Sequence, residues 1–218
     1  MLSIVIPTLD AAPTLPGTLA ALRTEAEIVV SDGGSVDGTT EIARRLGARV
    51  IAGPRGRGTQ IAAGVAAARF PWLLLLHADT RLGPDWRETA AVFQRGGTER
   101  AGYFRFALDS ADPRARRLER AVAWRCRVLG LPYGDQGLLI HRDLLERVGG
   151  VRPVPLMEDV DLVRRLGRSR LVALDADALT SAARWEREGW YRRSARNLTC
   201  LALWWLGVPP HLIARVYK

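Results

Sequence analysis

Cysteine is scarce in this chain, which has two among its 218 residues, Cys126 and Cys200. They lie far apart and form no CxxC pair, so the pattern predicts neither a zinc site nor a disulfide framework, and we interpret both as buried apolar residues. Long apolar runs are also missing. The longest, at 72–76 and 201–208, are much shorter than the roughly 20 residues that span a bilayer. With no basic segment or cleavage site at the start of the sequence, we expect a cytoplasmic protein.

Acidic residues are outnumbered, with 23 Asp and Glu against 32 Lys and Arg, which gives a formal net charge of +9. A surplus of this size favours anionic partners such as nucleotides, nucleic acid or an acidic membrane surface. Arginine suits bidentate phosphate contacts, but a GC-rich genome would also enrich it. The hydrophobic fraction of 48% and the length predict one globular domain rather than a disordered chain or two ordinary domains.

Short apolar runs alternate with helical patterns in the first half of the chain. This alternation predicts an α/β fold with a parallel sheet, in which ligands bind beyond the carboxyl ends of the strands. The predicted strands are Leu2–Pro7, Glu27–Ser31, Ala48–Ala52 and Trp72–Leu76, and the predicted helices are Thr14–Arg23, Thr39–Leu46 and Thr59–Arg69.

The second half is less regular, and we divide the chain into a nucleotide-binding half (1–100), an acceptor and catalytic half (101–187) and a C-terminal helical segment (188–218). Asp112 predicts the start of a long basic helix as its N-terminal cap. The predicted elements are the strands Tyr103–Leu108, Leu138–His141 and Leu171–Leu174, the helix Pro113–Leu129, a helix that begins at Glu158-Asp159, and a helix from Glu188 to a break at Pro209-Pro210.

All four loops that follow the first strands carry polar or glycine-rich sequence. Asp32 follows the second strand and could bind a base or ribose, although a turn with Ser35 and Asp37 as helix caps would use the same residues. Asp79 follows the fully apolar fourth strand and is well placed to hold Mg²⁺ or Mn²⁺. His77, two residues earlier, could be a metal ligand, a diphosphate contact or a satisfied core histidine.

The loop Arg55-Gly56-Arg57-Gly58 precedes a helix, where backbone N–H groups and guanidinium groups together favour an anion. No Gly-Lys-Thr or Gly-Lys-Ser follows, so the loop is not a Walker motif, and the first strand is not followed by the GxGxxG of a dinucleotide oxidoreductase.

Carboxylates recur in the second half. Glu158, Asp159 and Asp161 stand at a helix start, where the helix dipole favours acidic residues in any case, and where one of them could deprotonate a hydroxyl. Asp135 and Gln136 stand between two glycines, in a sequence that fits either a hydroxyl-binding loop or a plain turn.

The C-terminal segment combines Trp204 and Trp205 with Arg192, Arg193 and Arg196. Tryptophan and arginine together suit a membrane interface, such as the inner face of a cell membrane, or a lipid-phosphate acceptor. A helix packed on the domain core is the alternative interpretation.

Taken together, four of these motifs resemble the family 2 glycosyltransferases, which are inverting enzymes with the GT-A fold. SIVIPTLD is similar to their first strand, SDGGSVDGT to their nucleotide-binding DDGSxDGT motif, LLLLHADT to the strand with the DxD metal motif, and MEDVD to the ED motif. RGRGTQIAAG, HADT and GDQG further resemble a small bacterial subgroup described as selenodomain-associated transferases.

The resemblance implies a Rossmann-like, mainly parallel mixed sheet, a nucleotide-sugar donor linked to UDP or GDP, and a divalent metal, Mn²⁺ or Mg²⁺. The chain departs from the family pattern at Gly33, where the motif has a second Asp, and at His77, where DxD has its first Asp. The motifs and the resemblance together predict the following site residues: the base Asp159, the acceptor-binding residues Glu158, Asp135 and Gln136, the nucleotide-binding residues Pro7, Thr8, Asp10, Asp32, Arg57, His77 and Asp79, and the metal ligand Asp79.

Two other classes of protein fit parts of the pattern. A sugar nucleotidyltransferase shares this architecture, but it would carry a glycine-rich loop directly after the first strand, where this chain has PTLDAAPT. A non-catalytic binder of nucleic acid or anionic membranes would use the net charge. The aromatic residues, however, match no recognisable RNA-binding motif, so we expect no nucleic-acid partner.

Overall fold

One eight-stranded mixed sheet forms the centre of the protein, in a computed structural model that describes residues 1–22 and 25–217. The strands are β1 (Leu2–Thr8), β2 (Glu27–Asp32), β3 (Arg49–Ala52), β4 (Trp72–Leu75), β5 (Thr80–Leu82), β6 (Ala101–Leu108), β7 (Leu138–His141) and β8 (Leu171–Thr180). The helices are α1 (Leu15–Leu22), α2 (Thr39–Arg45), α3 (Arg57–Ala67), α4 (Trp86–Arg95), α5 (Pro113–Leu129), α6 (Arg142–Arg147), α7 (Glu158–Leu166), α8 (Ala183–Glu188), α9 (Trp190–Trp205) and α10 (Pro210–Tyr217).

The first four strands are parallel, in the order β3-β2-β1-β4. Every residue of β4 is buried, as its continuous apolar sequence predicts for a strand covered on both faces. The α/β class predicted from the alternating pattern is therefore confirmed. Arg23, with which the first predicted helix ends, lies outside the described residues.

Beyond β4 the sheet becomes mixed. β7 pairs antiparallel with both β4 and β6, β8 runs parallel to β6, and β5 forms the far edge through antiparallel pairing with β8. The short strand β5 and the helix α8 have no counterpart in the sequence-based prediction, and β8 extends six residues beyond its predicted end at Leu174.

Helices cover both faces of the sheet. On one face, alternate strand residues such as Ile4, Val30 and Leu74 pack with residues of α1, α2 and α4. On the other face, Val5 and Leu73 pack with residues of α3, α6 and α7. The period-two alternation of strand side chains thus divides the core into two layers and leaves the carboxyl ends of β1, β2 and β4 as a shared edge.

The C-terminal helices pack beside this edge. Leu156 and Met157, which precede α7, contact side chains of α9 and α10. The helix predicted from Glu188 begins at Trp190 in the structure, because Gly189 at φ 89° separates it from α8, which ends at Glu188. No helix among residues 1–22 and 25–217 combines the length and the apolar character needed to cross a bilayer.

Candidate active site

The loops that follow β1 and β2 are joined by reciprocal hydrogen bonds. The backbone N–H of Asp10 donates to Ser35 Oγ at 2.9 Å, and the N–H of Val36 donates to Asp10 Oδ1 at 3.0 Å. Asp10 adopts φ 48°, in the left-handed region that Asp tolerates better than most residues. The two loops therefore form one surface, next to the predicted nucleotide-binding residues Pro7 and Thr8 at the end of β1.

Asp32 is buried at the base of this surface, and its carboxylate organises the loop. It accepts hydrogen bonds from Thr8 Oγ1 at 2.8 Å and from the backbone N–H groups of Gly34 and Ser35 at 2.9 and 2.8 Å. Burial acts to raise the pKa of Asp32, but the hydrogen bonds from Ser35, Thr8 and Gly34 outweigh it and hold the pKa below the usual value. A contact between Asp32 and the nucleotide stays a prediction.

Gly33 replaces a family Asp, and the structure supplies a physical reason. A Cβ on Gly33 would lie 3.0 Å from the side-chain amide of Gln60, a closer approach than real Cβ atoms normally make. The Nε2 group of Gln60 donates to the carbonyl oxygens of Thr8 and Ser31. Sequence analysis did not single out Gln60, although it is the one amide side chain in the alanine-rich sequence of α3.

Arg57 forms the first residue of α3, two residues earlier than the predicted helix start. Its Nε lies 3.2 Å from Oε1 of Glu158, and this ion pair raises the pKa of Arg57. Gly58 lies against the backbone of residues 152–154, and a Cβ on Gly58 would overlap backbone atoms of Arg152 and Val154. The backbone N–H of Gly58 already donates to the carbonyl oxygen of Val154 at 3.2 Å. The predicted anion site therefore depends more on the Arg57 side chain than on the Gly58 backbone.

Glu158 is buried, with 1% of its surface exposed. Burial raises the pKa of Glu158 to about 7, and the negative charge of Asp159 adds to the increase, whereas Arg57 acts in the opposite direction. The carboxyl group faces Arg57. The contact between Glu158 and the acceptor that the resemblance implies stays a prediction.

Asp159 follows directly and is only partly buried. Its Oδ2 accepts the backbone N–H of Gly134 at 2.8 Å, and its Oδ1 accepts the N–H of Val160 at 2.8 Å. Met157, with φ 66°, turns the chain immediately before α7. The predicted base is thus held at the start of a helix and against the turn at 134–136.

The turn at Gly134–Gln136 carries two polar side chains with different surroundings, those of Asp135 and Gln136. Burial raises the pKa of Asp135 to about 6, with the charges of Asp159 and Asp79 acting in the same direction. The amide of Gln136 is buried, where its Nε2 donates to the Phe104 carbonyl at 3.0 Å and its Oε1 accepts from Cys126 at 3.1 Å. Both ends of the Gln136 amide thus hold the turn. The expected acceptor contact of Gln136 stays a prediction.

His77 and Asp79 follow β4 at the same edge. The Nε2 atom of His77 is buried without a hydrogen-bond partner among the described residues, and it faces Gly134 so closely that a Cβ there would overlap the ring. Burial, followed by the positive charge of Arg57, lowers the pKa of His77 to about 4, so the ring is neutral at pH 7. This Nε2 is covered and faces the turn. A contact between His77 and the diphosphate or a metal stays a prediction.

The charged groups of both halves meet at this edge. Asp79 and Asp159 influence the pKa of His77, Arg57 and Asp135, which places these five groups within electrostatic range of one another. A mainly apolar cavity, lined in part by His77, Tyr133, Glu158 and Asp159, lies alongside them. A carboxylate cluster at the carboxyl ends of parallel strands defines a ligand-binding α/β enzyme site.

Comparison with known proteins identifies the enzyme family of this chain. Residues 3–143 match the family model described as glycosyl transferase family 2, and the chain belongs to this family. It is 38% identical over 78 residues to an uncharacterized glycosyltransferase of Mycobacterium tuberculosis, and 39% identical over 93 residues to a PGL/p-HBAD biosynthesis glycosyltransferase of the same species. These matches span 35% and 38% of this chain and 36% of each relative, so about a third of the curated relatives' length is matched.

Solved structures share the fold. TarS of S. aureus in complex with UDP aligns with a TM-score of 0.62 and 16% identity, over 83% of this chain and 61% of that chain. The mannosyltransferase PcManGT of Pyrobaculum calidifontis, in complex with GDP-Man and Mn²⁺, aligns with a TM-score of 0.65 and 19% identity, over 91% and 60%. The expected GT-A type fold is confirmed, and the family assignment favours a glycosyltransferase over the nucleotidyltransferase and the non-catalytic binder.

Proposed function

We propose that this protein transfers a sugar from a nucleoside diphosphate sugar to an acceptor hydroxyl, with inversion at the sugar carbon. One observation carries the proposal: in a member of glycosyl transferase family 2, the carboxylates of Asp79, Asp135 and Asp159 lie within electrostatic range of the Arg57 guanidinium near the carboxyl edge of the parallel strands. The arrangement brings anion-binding and proton-accepting groups together, as transfer from a diphosphate requires.

The donor is assigned to the joined loops after β1 and β2. Pro7, Thr8, Asp10 and Asp32 line or support this surface, and Arg57 lies beside it as a contact for the diphosphate. Solved structures of the same fold have been determined with UDP and with GDP-Man, and we assign a UDP-linked or GDP-linked donor to this chain on that likeness.

A divalent cation fits the chemistry of this edge, and Asp79 is its proposed ligand. The negative charges of Asp79 and Asp159 act to raise the pKa of Asp135, so the three carboxylates lie within electrostatic range, and a cation would relieve their repulsion. No group of three His, Cys, Asp or Glu side chains within residues 1–22 and 25–217 forms a complete metal site, so the diphosphate would have to complete the coordination. Mn²⁺ or Mg²⁺ bound there would supply positive charge to the diphosphate oxygens.

The chain's own residues then account for the transfer step. Asp159 accepts the proton of the acceptor hydroxyl as its oxygen forms a bond to the sugar C1. The bond from C1 to the β-phosphate oxygen breaks, and its electron pair leaves with the nucleoside diphosphate. Arg57 stabilises the charge that builds on that leaving group.

The variant Asp159→Asn tests the base. We expect a loss of turnover of roughly 100-fold or more, because an amide cannot accept the proton, while UDP or GDP compounds with Mn²⁺ still raise the melting temperature. Asp161→Asn is the matched control on the same helix, since Asp161 forms ion pairs with Arg152 and Arg165 away from the site. Full turnover in Asp159→Asn would disprove the assigned base.

A second variant separates the donor site from the base. Asp79→Asn is expected to abolish the Mn²⁺-dependent part of the stabilisation by the nucleotide, because the proposed ligand charge is removed. Absence of any nucleotide response in the unmodified protein would overturn the donor assignment itself. The acceptor, and the cytoplasmic location expected from the sequence, stay predictions.

A further inference from the structure

Exposed apolar side chains are concentrated on the C-terminal helices and on the end of α5. Tyr191, Leu198 and Trp205 on α9 are 73%, 64% and 53% exposed. Further exposed members of this group are Trp124, Val128, Leu129, Leu206, Leu212 and Val216. Elsewhere in the described chain, apart from Met1, the exposed large apolar side chains are the isolated Val36, Leu46 and Val92.

The exposed residues of α9 form one stripe. Tyr191, Leu198 and Trp205 are spaced seven residues apart, which places them on the same face of a helix. Ala195 and Ala202 lie between them on this face and are also exposed. The opposite face carries Trp190, Arg193 and Cys200, which are buried. The helix α9 therefore has one face packed on the domain and one uncovered apolar face. We call the uncovered apolar face the α9 stripe.

The surroundings of the α9 stripe are strongly basic. Residues 189–218 contain no Asp or Glu but five basic residues, of which Arg193 and Arg196 pair with Glu188. Residues 120–134 contain three arginines and no acidic residue. The guanidinium of Arg164 lies 4.0 Å from the ring centroid of Trp205. A groove beside the stripe is lined by Leu129, Arg164, Arg168, Leu201 and Trp205, so it combines apolar walls with two guanidinium groups.

We propose that the α9 stripe and its basic border bind the surface of an anionic lipid bilayer. Apolar and aromatic side chains bordered by arginine match an interface where acyl chains and negative headgroups lie side by side. A second copy of the chain fits less well, because a symmetric contact through this face would bring two acid-free, arginine-rich segments together. The proposal concerns a surface distinct from the transfer site and does not depend on the proposed reaction.

This placement has a geometric consequence for α7. Asp159 lies at the start of α7 and Arg164, which stacks on Trp205, lies in its last turn. Since Arg164 lies five residues after Asp159 and an α-helix rises about 1.5 Å per residue, roughly 8 Å of helix separates these two residues. A protein bound through the stripe would hold its active site close to the headgroup layer.

Vesicle flotation tests the proposal. The unmodified protein is expected to float with vesicles of phosphatidylcholine and phosphatidylglycerol, and much less with phosphatidylcholine alone. The double variant Leu198→Glu/Trp205→Glu should bind the anionic vesicles about tenfold more weakly, because it loses apolar contact and adds negative charge. The matched control Leu46→Glu/Val92→Glu makes the same change of charge at two exposed positions, one directly after α2 and one on α4, and it should bind like the unmodified protein.

The following outcomes would contradict membrane binding through the α9 stripe. Equal weakening in both double variants would show that net charge alone is responsible and would overturn the proposal. Absence of flotation with anionic vesicles would also overturn it. Sedimentation that shows a dimer, lost in Leu198→Glu/Trp205→Glu but kept in the control, would assign the stripe to a second copy instead. Circular dichroism spectra of all variants check that the fold is retained.

Discussion

Glu158 is the residue whose environment differs most from what its sequence context indicates. An acidic residue in the first turn of a helix is ordinarily exposed and ionised. Here the carboxyl group is buried against Arg57, and its pKa is raised from 4.5 to about 7. The folded protein thus holds this proton more tightly than the unfolded chain does. Ionisation of Glu158 therefore costs stability as the pH rises from 4.5 through about 7.

The variant Glu158→Gln tests this effect. Because the amide cannot ionise, the free energy of unfolding of the variant should rise relative to the unmodified protein as the pH increases from below 4.5 to above 7. Urea unfolding at several pH values measures the difference. Glu41→Gln, at an exposed position of α2, should show no such trend. A difference that moves the opposite way with pH would contradict the raised pKa.

Sequence analysis predicted which residues of the site lie at the carboxyl edge, but not which of them face inward. Asp79 follows a strand that the apolar pattern identifies, and Asp159 lies at the start of a predicted helix, so the elements that carry them could be predicted. The burial of Glu158 depends on Arg57, about a hundred residues earlier, and the burial of Gln136 depends on Phe104 and Cys126. Packing between distant elements brings these partners together, and the local sequence around Glu158 or Gln136 does not predict it.

At the scale of elements, the contact of α3 with β1 positions the Arg57 loop. Gly64 of α3 lies so close to Val5 of β1 that an added Cβ would overlap Val5 Cγ1. A glycine in a helix interior normally lowers stability, and here it permits the close approach of helix and sheet. That approach sets the distance between the first turn of α3 and the ends of the strands.

Gly64→Ala is expected to lower the free energy of unfolding by about 1–3 kcal/mol, because the extra methyl group overfills a packed interface. Combining it with Val5→Ala should cost less than the sum of the two single changes, since space is returned at the same contact. Gly17→Ala in α1 is the control, because its added Cβ would meet Arg81 at an ordinary 3.5 Å. Denaturant titration measures all four variants, and additive costs would contradict the described overlap.

Elements with a strong local signal were predicted closely, and those without one were not. The helix Pro113–Leu129 has the predicted bounds, and Asp112 caps it by accepting the N–H of Arg114. The strand β5 has three residues and lacks a periodic pattern, and its pairing with β8 joins positions about a hundred residues apart. In β8, Asp175 and Asp177 interrupt the apolar sequence, and both pair with Arg105. A prediction based on hydrophobicity therefore ends this strand too early.

At the scale of the whole molecule, the two halves of the sequence do not form two separate bodies. β7 comes from the second half and lies between β4 and β6, while β5 comes from the first half and lies at the far edge beside β8. The division at residue 100 expected from the sequence therefore describes roles in the site more than independent folding units.

This interleaving predicts one cooperative unfolding transition. Because breaking the β4–β7 pairing exposes the core of both halves, near-ultraviolet and far-ultraviolet circular dichroism should give the same urea midpoint. Comparison of the two curves on the full chain measures this. Two midpoints that differ, with secondary structure surviving the loss of tertiary signal, would show that the halves unfold separately.

The position of β4 in the sheet also determines how long this strand stays unpaired during synthesis of the chain. Its sequence WLLL is apolar throughout, and its second neighbour, β7, is synthesised more than 60 residues later. During that interval the nascent chain presents an unpaired, fully apolar strand edge, which is a template for association with other chains. Ribosomes that stall or terminate between these two strands would therefore release products prone to aggregate, so smooth translation of this stretch matters for the yield of native protein.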